Sequence, residues 1–279
     1  MEQNEEILQQ KEEILAQTEK LGETNKELSK RNKQILDSIV YAKRIQNTII
    51  PDEKFFNSIF PKHFIYYKPR DIVSGDFYWL KRIENKILLA VSDCTGHGVP
   101  GAFMSIIGHN LLEQISSTNL VCDPAEILNL MRELLTIKFL DQSDDNEDIE
   151  DGMDIALCCI DKEKKQIVFS GALQTLIQIS NNNIEEYVGN NCPIGKTHEK
   201  AYETFINYTI NYNEGDKFYL FSDGFADQFG GSKSNKFYYN NFKKLLFDTK
   251  MHSMNKQGEI LSETMKTWMY GHRQIDDIL

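Results

Sequence analysis

Residues 88–105 read LLAVSDCTGHGVPGAFMS. An apolar run ends at Asp93, a turn follows with Gly96 and Gly98 on either side of His97, and apolar residues then resume at Val99 with helical spacing. A buried strand that stops at a carboxylate and turns sharply into a helix delivers that acid to the edge of a sheet. Whether the acid works alone depends on what the rest of the chain brings to the same edge.

Working outward, HFIYYKP (63–69), FYWLKR (77–82) and KILLAVSD (86–93) are rich in aromatic and branched residues and read as strands. Two helices are expected next, from Val99 to about Ser116 and from the stretch CDPAEIL. In the latter Asp123 caps, Pro124 takes the first helical position and Glu126 completes a capping box. DIALCCID, QIVFSG, TLIQIS, IEEYVG, ETFINYTI and DKFYLFSDG then follow as strands at antiparallel spacing, joined by turns such as SNNN (180–183). Helices return near 239–247 and 254–270. The pattern predicts an α+β fold, two antiparallel sheets in a sandwich flanked by helices, without internal repeats.

The first 50 residues differ. They contain one glycine, Gly22, and no proline, and Ile7, Ile14, Leu21, Leu28, Ile35, Ala42 and Ile49 recur every seven residues. That is the seam of a long helix that pairs with a second copy or, on the plainer reading, stands as a single exposed helix, since its companion positions (Gln10, Gln17, Thr24, Arg31, Ser38, Ile45) are mostly polar. Asn25 and Asn32 near the seam favour register over stability. Pro51 ends the helix. The expected domains are therefore 1–50, a coiled coil that dimerises the chain, and 51–279, the sandwich.

Composition narrows the partners. The chain has 279 residues, 41% of them apolar, and a net charge of −11, which disfavours a nucleic-acid backbone. Seven acids fall in DQSDDNEDIED (141–151), a segment expected to be a solvated flap. It is no EF-hand, because Asn146 stands where the turn glycine belongs and Gly152 where the bidentate glutamate belongs. No apolar run reaches the roughly 18 residues of a membrane span, and the polar N-terminus does not resemble a signal peptide. Cys94, Cys122, Cys158, Cys159 and Cys192 lack metal-ligand spacing and read as reduced thiols of a cytoplasmic protein.

Asp93 has company. IVSGDFYWL (72–80) puts Asp76 at a strand start, YLFSDGFAD (219–227) puts Asp223 at a strand end, and RQIDDIL (273–279) places Asp276 and Asp277 where a last strand begins. Convergent carboxylates need cations between them, and hard oxygen ligands favour Mg²⁺ or Mn²⁺ over zinc. Asp154, at another strand start, is a candidate for an accessory metal. Arg70 and Lys68 are candidates for holding phosphate or are solvated charges. His97 reads equally as a site residue or a turn residue.

SGDFYWL, AVSDCTGHGVPGAFMS, FYLFSDGFADQ and QIDDIL, in that order, resemble the successive motifs of the SpoIIE-type branch of the metal-dependent PPM serine/threonine phosphatases, over about residue 38 to the end. The resemblance implies a centre of two Mn²⁺ or Mg²⁺ ions. Asp93 would bridge them with the Cys94 backbone carbonyl beside it, and Asp76 would serve one ion. Asp223 and Asp276 would hold the other, with Asp277 in reserve for Asp276. Asp93 and Asp76 become the catalytic acids, and a metal-activated water attacks the phosphorus. The implied substrate is a phosphoserine or phosphothreonine regulatory protein, of the kind that antagonises an anti-sigma factor. Residues 35–51 (Ile35, Ile39, Ala42, Ile45, Ile49) form an amphipathic switch helix under this reading, and the last strand looks truncated at Leu279. The competing reading is a coiled-coil adaptor that has lost catalysis. Hydrolysis of a small phosphoester or nucleotide finds no GxxxxGK[ST] loop to support it.

Overall fold

A computed structural model describes residues 2–118, 121–140, 151–195 and 203–279; the acidic stretch 141–150 lies outside them. The chain separates into two units, Met1–Ile45 and Gln46–Leu279. Helix α1 (Glu2–Ile49) makes up the first unit and lends its last turn to the second. It stops just before Pro51, whose ring disfavours the helical conformation in the preceding residue. Along it Ile7, Ile14, Leu21, Leu28 and Ile35 are all more than half exposed.

The second unit opens with α2 (Glu53–Ile59), capped by Asp52, whose Oδ1 accepts the Phe55 N–H at 2.8 Å. Then come β1 (Phe77–Ile83), β2 (Lys86–Cys94), α3 (Gly98–Thr118), α4 (Pro124–Leu140), β3 (Gly152–Asp161) and β4 (Gln166–Ala172). They are followed by β5 (Thr175–Ser180), β6 (Asn183–Val188), β7 (Ile194–Gly195), β8 (Tyr208–Asn211) and β9 (Lys217–Tyr219). A short helix α5 (Gly224–Asp227), a ribbon of β10 (Phe229–Gly230) and β11 (Asn235–Lys236), and helices α6 (Tyr239–Thr249) and α7 (Met254–Trp268) complete it. As expected, Asp123 caps α4, its Oδ1 accepting the Glu126 N–H at 2.9 Å.

Among the described residues one sheet has the order β1-β2-β3-β4-β8, with β7 also on β3, and a second has the order β6-β5-β9. All of these ladders are antiparallel. Alternation along the strands sorts side chains to opposite faces. Trp79, Leu88, Ile155 and Leu157 meet Leu111 of α3 and Met131 of α4 in one core. Their neighbours Leu80, Ile87, Ala156 and Cys158 meet Leu176 of the second sheet in the next. Ile177 and Ile179 face Phe242 and Leu246 of α6 and Leu261 and Met265 of α7 in a third. The layers are helix, sheet, sheet, helix. Trp79 and Lys81 also anchor α3, donating to Glu113 at 2.7 and 2.8 Å.

Four expected strands are shorter or absent. HFIYYKP makes a single bridge, Lys68 to Ile278, although Ile65 packs into the middle core and Phe64 and Tyr66 into the third. ETFINYTI pairs only over Tyr208–Asn211 and DKFYLFSDG only over Lys217–Tyr219. The last residues make only the Ile278 bridge. Side-chain alternation reports which face is buried, whereas a ladder also needs a neighbouring backbone in register.

Three segments touch through glycines. A Cβ on Gly101 would overlap the Gly96 carbonyl oxygen and lie 2.9 Å from the Gly75 Cα, whereas one on Gly22 meets nothing within 4 Å. Gly101→Ala is therefore expected to lower the melting temperature by several degrees. Gly22→Ala should add helix signal in circular dichroism and up to about 1 kcal/mol of helix propensity.

Candidate metal centre

Antiparallel register builds the centre. Phe77 of β1 pairs with Ser92 of β2, so Asp76, one residue before Phe77, arrives beside Asp93, one residue after Ser92. On the other side of β2, Asp93 pairs directly with Asp154 of β3. Three adjacent strand ends thus present Asp76, Asp93 and Asp154 in a row. Asp223 comes from the segment that follows β9 of the opposite sheet. It does not end a strand as expected, because β9 stops at Tyr219; it sits instead at the head of α5.

Asp93 stands between its neighbours, within hydrogen-bonding reach of both Asp76 and Asp223. Burial lifts its carboxyl far above the usual carboxylate range, and the charges of Asp76, Asp223, Asp276 and Asp154 push it further. Asp76 is 2% exposed and is raised mainly by burial, then by Asp277 and Asp276, against a bond from Ser222 that lowers it. Burial followed by the Asp223 charge lifts Asp154 to about 6. Asp223 and Asp276 are raised by burial first and then by nearby acids.

The adjacent acids at the C-terminal end separate by their partners. Asp277 is buried and both its oxygens are engaged, Oδ1 accepting the Arg70 N–H at 2.6 Å and Oδ2 the Gly75 N–H at 2.7 Å. It ties down the loop that carries Asp76. Asp276 is half-buried, accepts the Asp277 N–H at 2.9 Å, and adds its charge to Asp76, Asp93 and Asp223. Of the two, Asp276 faces the cluster.

The residues suit a hard, water-rich cation site. Asp76 Oδ2 is buried and has no hydrogen-bond partner, a costly state for an acceptor that a cation would relieve. Among the described residues no three His, Cys, Asp or Glu side chains form a ready coordination sphere; the acids meet in pairs around Asp93. Pairs suffice for Mg²⁺ or Mn²⁺, which complete octahedral shells with water, but not for a closed zinc site. Burial drives the Cys94 thiol well up, so only its backbone is suited to ligation. A Cβ on Gly75 would come within 3.1 Å of the Cys94 carbonyl oxygen.

The rim carries cations. The Arg70 guanidinium donates to the Ile275 carbonyl at 2.9 Å and its charge lowers Asp276, whereas the Lys68 ammonium is directed to Met269 Sδ, 3.9 Å away. His97 pairs with Asp71 at 3.1 Å and also lowers Asp276. Sequence reading singled out His97 but gave no role to Asp71 or Ser222 and did not see the register partnership of Asp93 with Asp154, since strand register and side-chain partners are not written in local patterns.

Raised carboxyls have a sign. The metal-free fold binds protons more tightly than the unfolded chain, so the stability from these groups is complete below their ordinary values near 4 and is lost as pH rises through the folded ones, about 6 for Asp154. The melting temperature of metal-free protein is expected to fall between about pH 5 and about pH 8, and saturating Mn²⁺ to flatten that fall. A flat or rising metal-free profile would contradict the cluster's electrostatics.

Comparison places this architecture among known proteins. The family model for stage II sporulation protein E (SpoIIE) matches residues 83–279. The SiaA-PP2C domain of Pseudomonas aeruginosa is similar at 31% identity and a TM-score of 0.79, with 88% of this chain and 95% of that one covered. The PP2C phosphatase domain of SpoIIE from Bacillus subtilis, solved with a fragment of its regulatory domain, shares the fold at 20% identity and a TM-score of 0.59, covering 76% of this chain and 58% of that one. RsbX, solved in complex with magnesium, shares it at 16% identity and 0.51, covering 76% and 89%. No curated protein sequence matches the chain. The strand-edge aspartates, the four-layer sandwich and the matched span agree: the chain belongs to the SpoIIE family of PP2C-type serine/threonine phosphatases.

Proposed function

We propose that the chain removes phosphate from phosphoserine or phosphothreonine on a regulatory protein, with water as the nucleophile. The observation that carries this reading is Asp93 at the end of β2, with Asp76 beside it at the head of β1 and Asp154 paired with it on β3. Two Mn²⁺ or Mg²⁺ ions bound there would supply a water of lowered pKa and neutralise charge on the phosphoryl oxygens. In this reading Asp93 would serve both ions with the Cys94 carbonyl as an added ligand, Asp76 would help hold one ion, and Asp223 and Asp276 the other. Asp154, Asp93's cross-strand partner, would serve an accessory ion in this reading. Arg70 on the rim has the fork of donors that suits a phosphate. No side chain needs to act as nucleophile, and the buried thiols Cys94, Cys158 and Cys159, with raised pKa values, are poor ones.

The exposed heptad residues of α1 support a homodimeric coiled coil. Pairing through residues 5–35 would set the position of the amphipathic turns that follow, and through them the order of the Asp93 and Asp223 loops. The substrate class suggested by the motif resemblance is an anti-sigma-factor antagonist or similar phosphoprotein. A cytoplasmic setting is supported by Cys94, Cys158 and Cys159, which are buried and outside any disulfide. Among the described residues no helix is long and apolar enough to cross a membrane. A catalytically silent adaptor is disfavoured, since Asp76, Asp93, Asp223 and Asp276 are all present.

Hydrolysis of p-nitrophenyl phosphate and of a phosphoserine peptide should require Mn²⁺ or Mg²⁺. Asp93→Asn should lower it at least about a hundredfold, and Cys94→Ala by less than about threefold. Metal-independent turnover, or an Asp93→Asn variant of wild-type rate, would overturn the reading. A chain starting at Pro51 should turn over well below the rate of the full chain; full, metal-dependent, unregulated turnover would argue against a required switch helix.

A further inference from the structure

Among the described residues of α1, Gln46 alone is buried, at 3% exposure, although the segment around it is mostly solvated. Its amide is fully engaged. Oε1 accepts the Ser74 N–H at 3.1 Å, while Nε2 donates to the Ser74 carbonyl at 2.6 Å and to Ser105 Oγ at 2.9 Å. The side chain thus grips both polar groups of one peptide residue, as a strand neighbour would, and a helix residue besides. Ser74 and Ser105 are themselves fully buried, and the Ser105 hydroxyl donates to the Ala102 carbonyl at 2.8 Å.

The gripped residues flank the acids. Ser74 precedes Gly75, whose N–H is held by Asp277, and then Asp76. Ser105 lies on α3, which starts at Gly98, straight after the turn that follows Asp93 and Cys94. The two segments are already in contact, since a Cβ on Gly75 would lie 2.7 Å from the Gly96 carbonyl. A buried amide without partners is costly, so Gln46 holds these segments directionally in a way an apolar residue would not.

We infer that Gln46 is a positioning residue for the metal centre: the last turn of α1 fixes the Ser74–Asp76 loop against α3, and so sets cation affinity, through this one amide. The inference rests on the proposed metal centre and adds to it a named contact, at the Asp76 loop rather than at the Asp93 or Asp223 loops.

The test is Mn²⁺ titration calorimetry on the full chain, with hydrogen exchange read over residues 72–76. Gln46→Met, similar in shape but without the amide, should raise the Mn²⁺ dissociation constant about tenfold or more. It should also speed exchange of the Ser74 amide, and leave kcat at saturating Mn²⁺ within about threefold of the wild type. Gln257→Met is the control. Gln257 is likewise buried and makes two bonds, accepting from Tyr219 Oη at 2.7 Å and donating to the His252 carbonyl at 3.0 Å, but on α7. That variant should leave Mn²⁺ affinity unchanged. Should Gln46→Met fail to fold, Ser105→Ala, which removes one of the three bonds, should still weaken Mn²⁺ binding about two- to threefold. Wild-type affinity in Gln46→Met, or equal weakening in Gln257→Met, would overturn the clamp while leaving the centre standing. A wild-type chain that takes up no Mn²⁺ would overturn both.

Discussion

Like charges packed into low dielectric are the constraint around which this molecule is organised. Asp76, Asp93, Asp154, Asp223 and Asp276 raise one another's proton affinity at one sheet edge, and burial compounds the effect. No packing benefit explains such a cluster, because replacing any one acid by a neutral residue would relieve it. It is tolerable where protons or cations neutralise it, and the buried, unpartnered oxygen of Asp76 marks where neutralisation is incomplete.

The scaffold holds that unfavourable arrangement through contacts that are themselves favourable. Three apolar cores stack helices and sheets. The loop before β1 is held by Asp277 on one side and Gln46 on the other, and close glycine contacts join it to the turn after β2. Strained electrostatics at the site and well-satisfied hydrogen bonds around it are two sides of one design: acids that repel need a rigid frame to stay together. The link to α1 means that the frame reaches the last turn of the long N-terminal helix.

Much of this was readable in the chain. Aromatic and branched residues in FYWLKR and KILLAVSD and the spacing of DIALCCID located strands of the large sheet, and the Gly–His–Gly turn with its apolar sequel located α3. The Asp-Pro cap placed α4. Local chemistry decides these features, so a single sequence carries them. HFIYYKP was misread as a strand because its side chains alternate as a strand's do while its backbone pairs at one residue only.

The sequence by itself determined the element types, the acids with chemistry to offer and the heptad face of α1, because each depends on residues close together in the chain. Tertiary structure alone decided that Asp154 lies opposite Asp93, that Asp276 faces the cluster while Asp277 binds backbone, and that one glutamine among many on α1 is buried against Ser74 and Ser105. Those facts depend on strand register and on which backbone groups remain to be satisfied once distant segments meet, and neither is written in any local pattern.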